Sequence, residues 1–330
     1  MAQALDRHRS PADPDAPSPP GADPGAGPSG PAAGSKRYAV QLGERTLPYL
    51  LVAPLVALLA VFVVYPFGQA IYRSFTEWNG ANIDEFVGLA NYRELFTNDP
   101  LFWRSVRNGA LLTAIFVAQS VLVPLGTAWL IHHLRSDRTQ YALRILLLVP
   151  AVVPTVVGFL VWSQFLQPDG LVNRVLDAVG LHGLTHSWLG DTSVVLWALA
   201  GVGFPWLNGA NTLIYLAGFL AIPNELYESA RMDGAGRWTT FRRLELPLLR
   251  GQTRLLAVLA LILGLQNYDN VFLLTQGGPA DASVVPGLLL YNNAFRYGQY
   301  GYAAAIGVVL FLIIFVLSIA GPARPGRRER

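Results

Sequence analysis

The sequence contains no cysteine among its 330 residues. Disulfides, thiolate metal sites and cysteine nucleophiles are therefore excluded. It contains one lysine, Lys36, in the run Gly34-Ser35-Lys36-Arg37. A phosphate-cradling loop needs Gly-x-x-x-x-Gly-Lys followed by Ser or Thr, so no nucleotide-hydrolysing site of that kind is encoded. Gly-x-Ser-x-Gly elbows and His-Glu-x-x-His motifs are absent too, and His132-His133 has no spaced carboxylate partners for a metal. No catalytic residue, metal site or bound cofactor is expected, and the chain reads as not an enzyme. Charge is also scarce, at 14% of residues against 52% hydrophobic. That balance is too apolar for an ordinary soluble domain and points to a membrane protein. The net charge of +3 is small and its basic residues are spread over loops. Without a basic stripe, nucleic acid is not an expected partner.

What the chain has instead is long apolar runs. Residues 1–37 are rich in Pro, Gly, Ala, Ser and Asp. Such a segment buries too little surface to offset chain entropy and is expected to be disordered. No apolar stretch follows its first charges, so it does not read as a signal peptide. Six apolar runs follow, at about Leu47–Tyr72, Asn108–Ile131, Tyr141–Leu166, Ser193–Leu216, Leu255–Leu274 and Tyr302–Ala320. Each is long enough to cross a hydrocarbon core of about 30 Å as a helix. Pro54, Pro66, Pro124, Pro154, Gly201, Gly203 and Pro205 lie inside them. Membrane helices tolerate such residues because neighbours satisfy the freed backbone groups. The expected fold is an all-α, polytopic membrane protein with six transmembrane helices.

Basic residues set the expected orientation. With the amino terminus inside, inner segments hold Arg45, Arg135, Arg138, Arg144, Arg231, Arg237, Arg242, Arg243, Arg250 and Arg254, besides basic residues in both tails. Outer segments hold only Arg73, Arg93, Arg104, Arg107, Arg174 and Arg296. The bias places both termini in the cytoplasm. It also places there the long polar segment at about 221–251, between the fourth and fifth runs. Pro223-Asn224 reads as a helix start, and Glu225 and Glu228 suit its positive end. Gly234 stands where that helix should stop, and a second short helix is expected from Trp238 to near Pro247. The physics leaves two readings of this helix-turn-helix: an interfacial anchor, or a docking surface for a partner.

Polar residues inside the runs are candidates for a solute path. Gln119 lies at the centre of the second run. The fourth carries Gly201, Gly203 and Pro205, followed by Trp206, Asn208 and Asn211, and reads as the interrupted span of the chain. The fifth carries Gln266-Asn267-Tyr268-Asp269-Asn270. Polar groups are costly in hydrocarbon and should face the bundle interior. There the amides and carboxylate suit hydroxyl-rich solutes, with Trp or Tyr covering apolar faces. The other reading is interhelical hydrogen-bond glue, and Asp269 lies near the outer end of its run, where it reaches water. Trp78, Trp103, Trp162 and Trp188 fall near run boundaries and read as an aromatic belt.

Glu228-Ser229-Ala230, then Asp233-Gly234-Ala235, Phe241 and Leu246-Pro247 resemble in order and spacing the cytoplasmic coupling loop, or EAA loop, of ABC importer permeases. Ser229 replaces the middle alanine of that pattern, and Gly251 stands where proline is often found. Three other stretches resemble the carbohydrate branch of the family, similar to the maltose and glycerol-phosphate systems. They are Arg144 to Leu176 with Gly170-Leu171-Val172-Asn173, Thr275-Gln276-Gly277-Gly278-Pro279, and Tyr300-Gly301-Tyr302-Ala303-Ala304-Ala305.

The resemblance implies a permease subunit of a binding-protein-dependent ABC importer for sugars, working by alternating access in a bacterial cytoplasmic membrane. It implies ATPase contact through Glu228, Ser229, Ala230, Asp233, Gly234, Ala235, Leu246 and Pro247. The implied partners are a second homologous permease, an ATPase dimer that uses ATP and magnesium, an extracytoplasmic sugar-binding protein and membrane lipid. The expected layout is a tail over 1–37, a first span and outer loop over 38–107, a permease core over 108–320 and a basic tail over 321–330. A permease for a non-sugar solute and an ion-coupled secondary transporter are the alternatives. The latter calls for an internal repeat and deeply buried ionisable groups, which the sequence does not display.

Overall fold

The computed structural model describes residues 34–204 and 209–320. The chain divides into two compact units, Met1–Val61 and Phe62–Arg330, and each is described by itself. In the first, helix α1 spans Gly34–Leu59 with Pro48 and Pro54 inside. Its side chains from Leu47 to Leu59 are exposed and mostly apolar, a surface suited to lipid. A π-helical turn over Ala60–Val64 leads in sequence to α2, Tyr65–Arg73.

The second unit contains, soon after α2, a feature the all-α expectation did not include. Strands β1 (Thr76–Trp78) and β2 (Asp84–Phe86) form an antiparallel hairpin. Gly80 turns it at a positive φ of 79°. The Asn79 carboxamide oxygen accepts from the backbone N–H groups of Ala81, Asn82 and Ile83. Arg73 pairs with Asp84 and lies over the Trp78 ring, 4.5 Å from its centroid.

A short α3 (Ala90–Arg93) precedes α4, Pro100–His132. Helix α4 starts where its sequence dictates. The Asp99 carboxylate caps the N–H groups of Leu101 and Phe102, and Pro100 fills the first turn. α5 (Asp137–Val152), α6 (Thr155–Phe165) and α7 (Leu171–Ala178) follow. Then come α8 (Val195–Gly201), α9 (Gly209–Leu220), α10 (Asn224–Met232), α11 (Arg237–Thr240) and α12 (Leu246–Leu248). The chain continues as α13 (Arg250–Gln266), α14 (Asp269–Leu274), α15 (Pro286–Tyr291) and α16 (Tyr300–Ala320).

Among the described residues the six apolar runs are largely helical, but three are broken. Leu47–Arg73, Pro100–His132 and Tyr300–Ile319 are, among the described residues, the continuous stretches long and apolar enough to cross a membrane. The third run, expected as one span, bends by 94° between α5 and α6. Pro154 brings no backbone N–H and holds Val153 extended, at φ −76° and ψ 127°. The fourth run stops at Gly201. Val202 is extended and Gly203 takes a positive φ of 86°. The fifth ends α13 at Gln266 with Asn267 extended, and α14 restarts at Asp269. Interruption is thus a property of three runs, not of the fourth alone.

Helix α4 is the axis of the bundle, with α13 and α9 packed along it. Small residues allow this closeness. A Cβ on Gly264 would come within 2.9 Å of the Thr113 methyl, and one on Gly109 within 2.9 Å of Pro286.

The family-like stretches each have a packing reason. Asn173 is buried, and its amide donates to the carbonyls of Pro168 and His186 while its oxygen accepts from the Trp188 indole. Gly277 sits at φ +92° with no room for a Cβ beside Val284. Tyr302 donates to the Asp99 carboxylate at 2.7 Å, tying the start of α16 to that of α4. Gly301 lies so close to β1 that a Cβ would collide with the Thr76 carbonyl. Gly301→Ala should therefore cost about 1–3 kcal/mol, the usual penalty for overpacking. A lowered thermal midpoint in detergent checks it.

Candidate functional site

The three breaks converge. A cavity of about 690 Å³ is lined by Pro150, Val153, Pro154 and Thr155 from the α5–α6 bend. Leu199, Ala200, Val202 and Gly203 line it from the end of α8, and Gly264, Leu265, Asn267 and Asn270 from the α13–α14 break. Helix α4 closes it with Gly109, Leu112, Phe116 and Gln119. Broken helices leave carbonyls without intrahelical partners. One of them, Ala200 O, receives the Gln119 Nε2 at 3.0 Å. Among the described residues, no charged side chain lines this cavity.

The candidate path residues separate on this geometry. Gln119, Asn267 and Asn270 line the cavity. Asn211 does not. Its amide donates to Ser120 O on α4, joining α9 to α4. Gln266 and Asp269 are exposed and outside the lining. Trp206 and Asn208 lie outside the described residues. Sequence reasoning missed Thr155, Phe116 and Phe159, and placed Trp162 in a boundary belt, whereas all four line the cavity. Pro154 was the available signal, since a proline in mid-span marks where backbone and adjacent side chains open toward an interior space.

The polar segment folds as a helix-turn-helix. Helix α10 ends in a Schellman closure, with Gly234 N–H on Arg231 O and Ala235 N–H on Ala230 O. Gly234 supplies the left-handed φ of 74°. Glu228, Ser229, Asp233 and Gly234 are exposed, while Ala230, Ala235, Leu246 and Pro247 are half-buried. Ala230, Asp233, Gly234, Ala235, Thr240 and Arg243 are among the residues around a concavity of about 350 Å³. The second helical stretch is α11, a π-helical turn over Phe241–Glu245, and α12.

Behind the exposed face, one residue breaks the apolar pattern. Glu245 is fully buried, and among the described residues it is the buried charged side chain. His133 Nε2 lies 3.7 Å from its carboxylate. Tyr227 and Trp129 lie beside it, but neither carboxylate oxygen has a hydrogen-bond partner. Burial pushes the Glu245 carboxyl above its usual range, and His133, Tyr227 and Trp129 draw it only part of the way back. Burial and then Glu245 itself push the Tyr227 phenol up.

The folded chain therefore holds the Glu245 proton more tightly than the unfolded chain does, and folding weakens as pH climbs above the ordinary value of 4.5. Glu245→Gln removes this cost. It should raise the thermal midpoint at pH 8, by about 1–3 kcal/mol of stability, with the gain shrinking toward pH 4.5. A gain that does not vary with pH would contradict this.

Comparison with known proteins fits the same picture. The family model for the inner membrane component of binding-protein-dependent transport systems matches residues 120–322. The chain belongs to this family. As an inner membrane component of such a transport system it is a multi-pass membrane protein, and the matched region contains the α5–α6, α8 and α13–α14 breaks and the helix-turn-helix. It is 34% identical over 273 residues to the diacetylchitobiose uptake system permease protein NgcF of Streptomyces coelicolor, covering 79% of this chain and 77% of that one. It is 33% identical over 278 residues to the multiple sugar-binding transport system permease protein MsmF of Streptococcus mutans, covering 82% and 91%. In structure it is similar to a bacterial ABC transporter involved in the import of the acidic polysaccharide alginate, with a TM-score of 0.76, 22% identity, and coverage of 86% of this chain and 96% of that one. At that identity the likeness shows the shared fold.

Proposed function

We propose that this chain is the permease subunit of an ATP-driven, binding-protein-dependent ABC importer for sugars. The observation that carries the reading is the convergence of three broken helices on one cavity in a chain of this family. Transporters commonly hold solute where helices are interrupted, because the opened backbone offers hydrogen-bond partners. The volume of about 690 Å³ lies in the range of ligand pockets, roughly 300–1,000 Å³. Its lining of amides, Thr155, Trp162 and two phenylalanines suits an uncharged polyhydroxyl solute. Aromatic faces cover apolar sugar edges, and amides exchange hydrogen bonds with hydroxyls. The names of the two permease relatives favour the same solute class.

In this reading both termini and the helix-turn-helix face the cytoplasm, as the arginine bias supports. The face formed by Glu228, Ser229, Ala230, Asp233, Gly234 and Ala235, continuing to Leu246 and Pro247, receives one subunit of an ATPase dimer. ATP and magnesium are used on that partner, and this chain supplies no cofactor site. A second permease completes the path, and an extracytoplasmic binding protein delivers the sugar. Closure of the ATPase dimer displaces α10 and rocks the bundle from inward-open to outward-open. Gln119, Asn267 and Asn270 contact the sugar on its way, while Asn211 holds helices together. Purifying the full chain through an affinity tag from its own membranes tests the partnership. A P-loop ATPase and a second permease of this family should co-purify, and their joint absence would overturn the reading.

A further inference from the structure

Burying a carboxylate among aromatic residues costs several kcal/mol unless partners compensate. Glu245 bears that cost at one particular joint. It lies in the π-helical turn of the second loop stretch, and it faces three polar side chains from two other parts of the chain. Trp129 and His133 belong to the end of α4, and Tyr227 to α10. The same joint is stiffened by rings. Phe241 packs edge-on to Trp129 at 5.6 Å, and His132 stacks on Phe219 at 5.3 Å. The Tyr227 hydroxyl lies 3.5 Å from His132 Nε2. From Trp129, α4 runs ten residues back to Gln119 in the cavity wall, about 15 Å along a helix. Pro124 lies on that length and is itself buried in the helix interface.

We propose that Glu245 is a positioning residue of the transport cycle: its buried carboxyl binds the two loop stretches to the end of α4, so that displacement of the loop reaches the cavity. An apolar side chain there would pack the joint equally well. It would offer no charge or acceptor to the three polar side chains around it. These side chains surround the carboxylate without hydrogen-bonding to it, and His133 Nε2 stands 3.7 Å away, so a small shift of the loop would make or lose the contact. Transmission of a displacement requires a joint with two distinguishable arrangements, and contact made or lost at Glu245 would supply them. The inference rests on the proposed ATPase docking.

The test uses the whole transporter complex in lipid nanodiscs, purified through this chain. Spin labels go on Ala118→Cys in α4 and Ser163→Cys in α6, on either side of the cavity. This chain has no cysteine of its own, and partner cysteines are replaced. ATP hydrolysis and the label-to-label distance are measured with and without ATP and vanadate. In Glu245→Leu, ATP hydrolysis should persist while the nucleotide-dependent shift in distance populations falls about fivefold or more, the scale of a lost coupling energy. Glu245→Gln, which keeps the shape and hydrogen-bonding capacity, should restore the shift. Tyr227→Phe, lacking one hydroxyl, should show an intermediate loss, and it decides the matter if Glu245→Leu does not assemble. A full shift in Glu245→Leu or, failing its assembly, in Tyr227→Phe overturns the proposal. So does equal loss of hydrolysis and shift, which marks a purely structural residue. A parent complex that hydrolyses no ATP and shows no shift fails at the earlier step, the docking itself.

Discussion

Gly234→Asp should reduce ATP-driven uptake by about a hundredfold or more while the chain still inserts and folds. The structure separates the two effects. A Cβ on Gly234 meets nothing within 4 Å, so the fold does not resist the side chain. The remaining internal cost is the left-handed backbone at φ 74°, about 1–2 kcal/mol for a non-glycine residue. Aspartate tolerates that region better than most. The new carboxylate stands next to Asp233, at the edge of the concavity that also holds Ala230 and Ala235. A second negative charge there changes the surface offered to the ATPase. Uptake should fall by about a hundredfold or more, as when an unpaired charge is forced into an interface at a cost of several kcal/mol. Membrane levels of the protein should remain near those of the parent. Vesicle uptake alongside quantitative immunoblotting checks both, and normal uptake would sink the docking role of α10.

The second large effect concerns the cavity. Asn267 and Asn270 are the amides that the α13–α14 break turns into it. Replacing both with leucine leaves the shape nearly intact but removes the groups that exchange hydrogen bonds with sugar hydroxyls. Leaving a buried polar partner unmatched costs about 1–3 kcal/mol each. Transport should therefore fall roughly ten- to a hundredfold for each lost contact, while the ATPase still co-purifies with the chain. Gln266→Ala is the control, because Gln266 is exposed and outside the lining. It should transport at near the parent rate. Equal transport by the double leucine variant and the parent would remove Asn267 and Asn270 from the path.

Much of this architecture was legible in the residues. The apolar runs located the helices, and the helix-turn-helix followed from Pro223, the early glutamates and Gly234, whose left-handed φ is the reason for a glycine there. The bends were harder to read. Pro154 gave warning of one, but an extended Val153 turning the chain by 94° depends on what α6 packs against, and no local pattern carries that. Asn267 looked like one member of a polar cluster. Only the bundle decides that it and Asn270 face inward while Gln266 and Asp269 do not. The small hairpin was missed although Asn79-Gly80 is a strong turn signal, because its strands are three residues each and carry no visible alternation. Glu245 was hidden for another reason. It sits in a polar, arginine-rich stretch where a glutamate normally faces water. Its burial arises from contacts with α4, more than a hundred residues earlier in the chain.

The most direct measurement reconstitutes the purified complex with its binding protein in sealed vesicles and follows labelled neutral oligosaccharides with and without ATP on the ATPase side. Accumulation should require both ATP and the binding protein, and should persist when ion gradients are collapsed. Uptake that follows a proton or sodium gradient and proceeds without ATP would contradict the central claim.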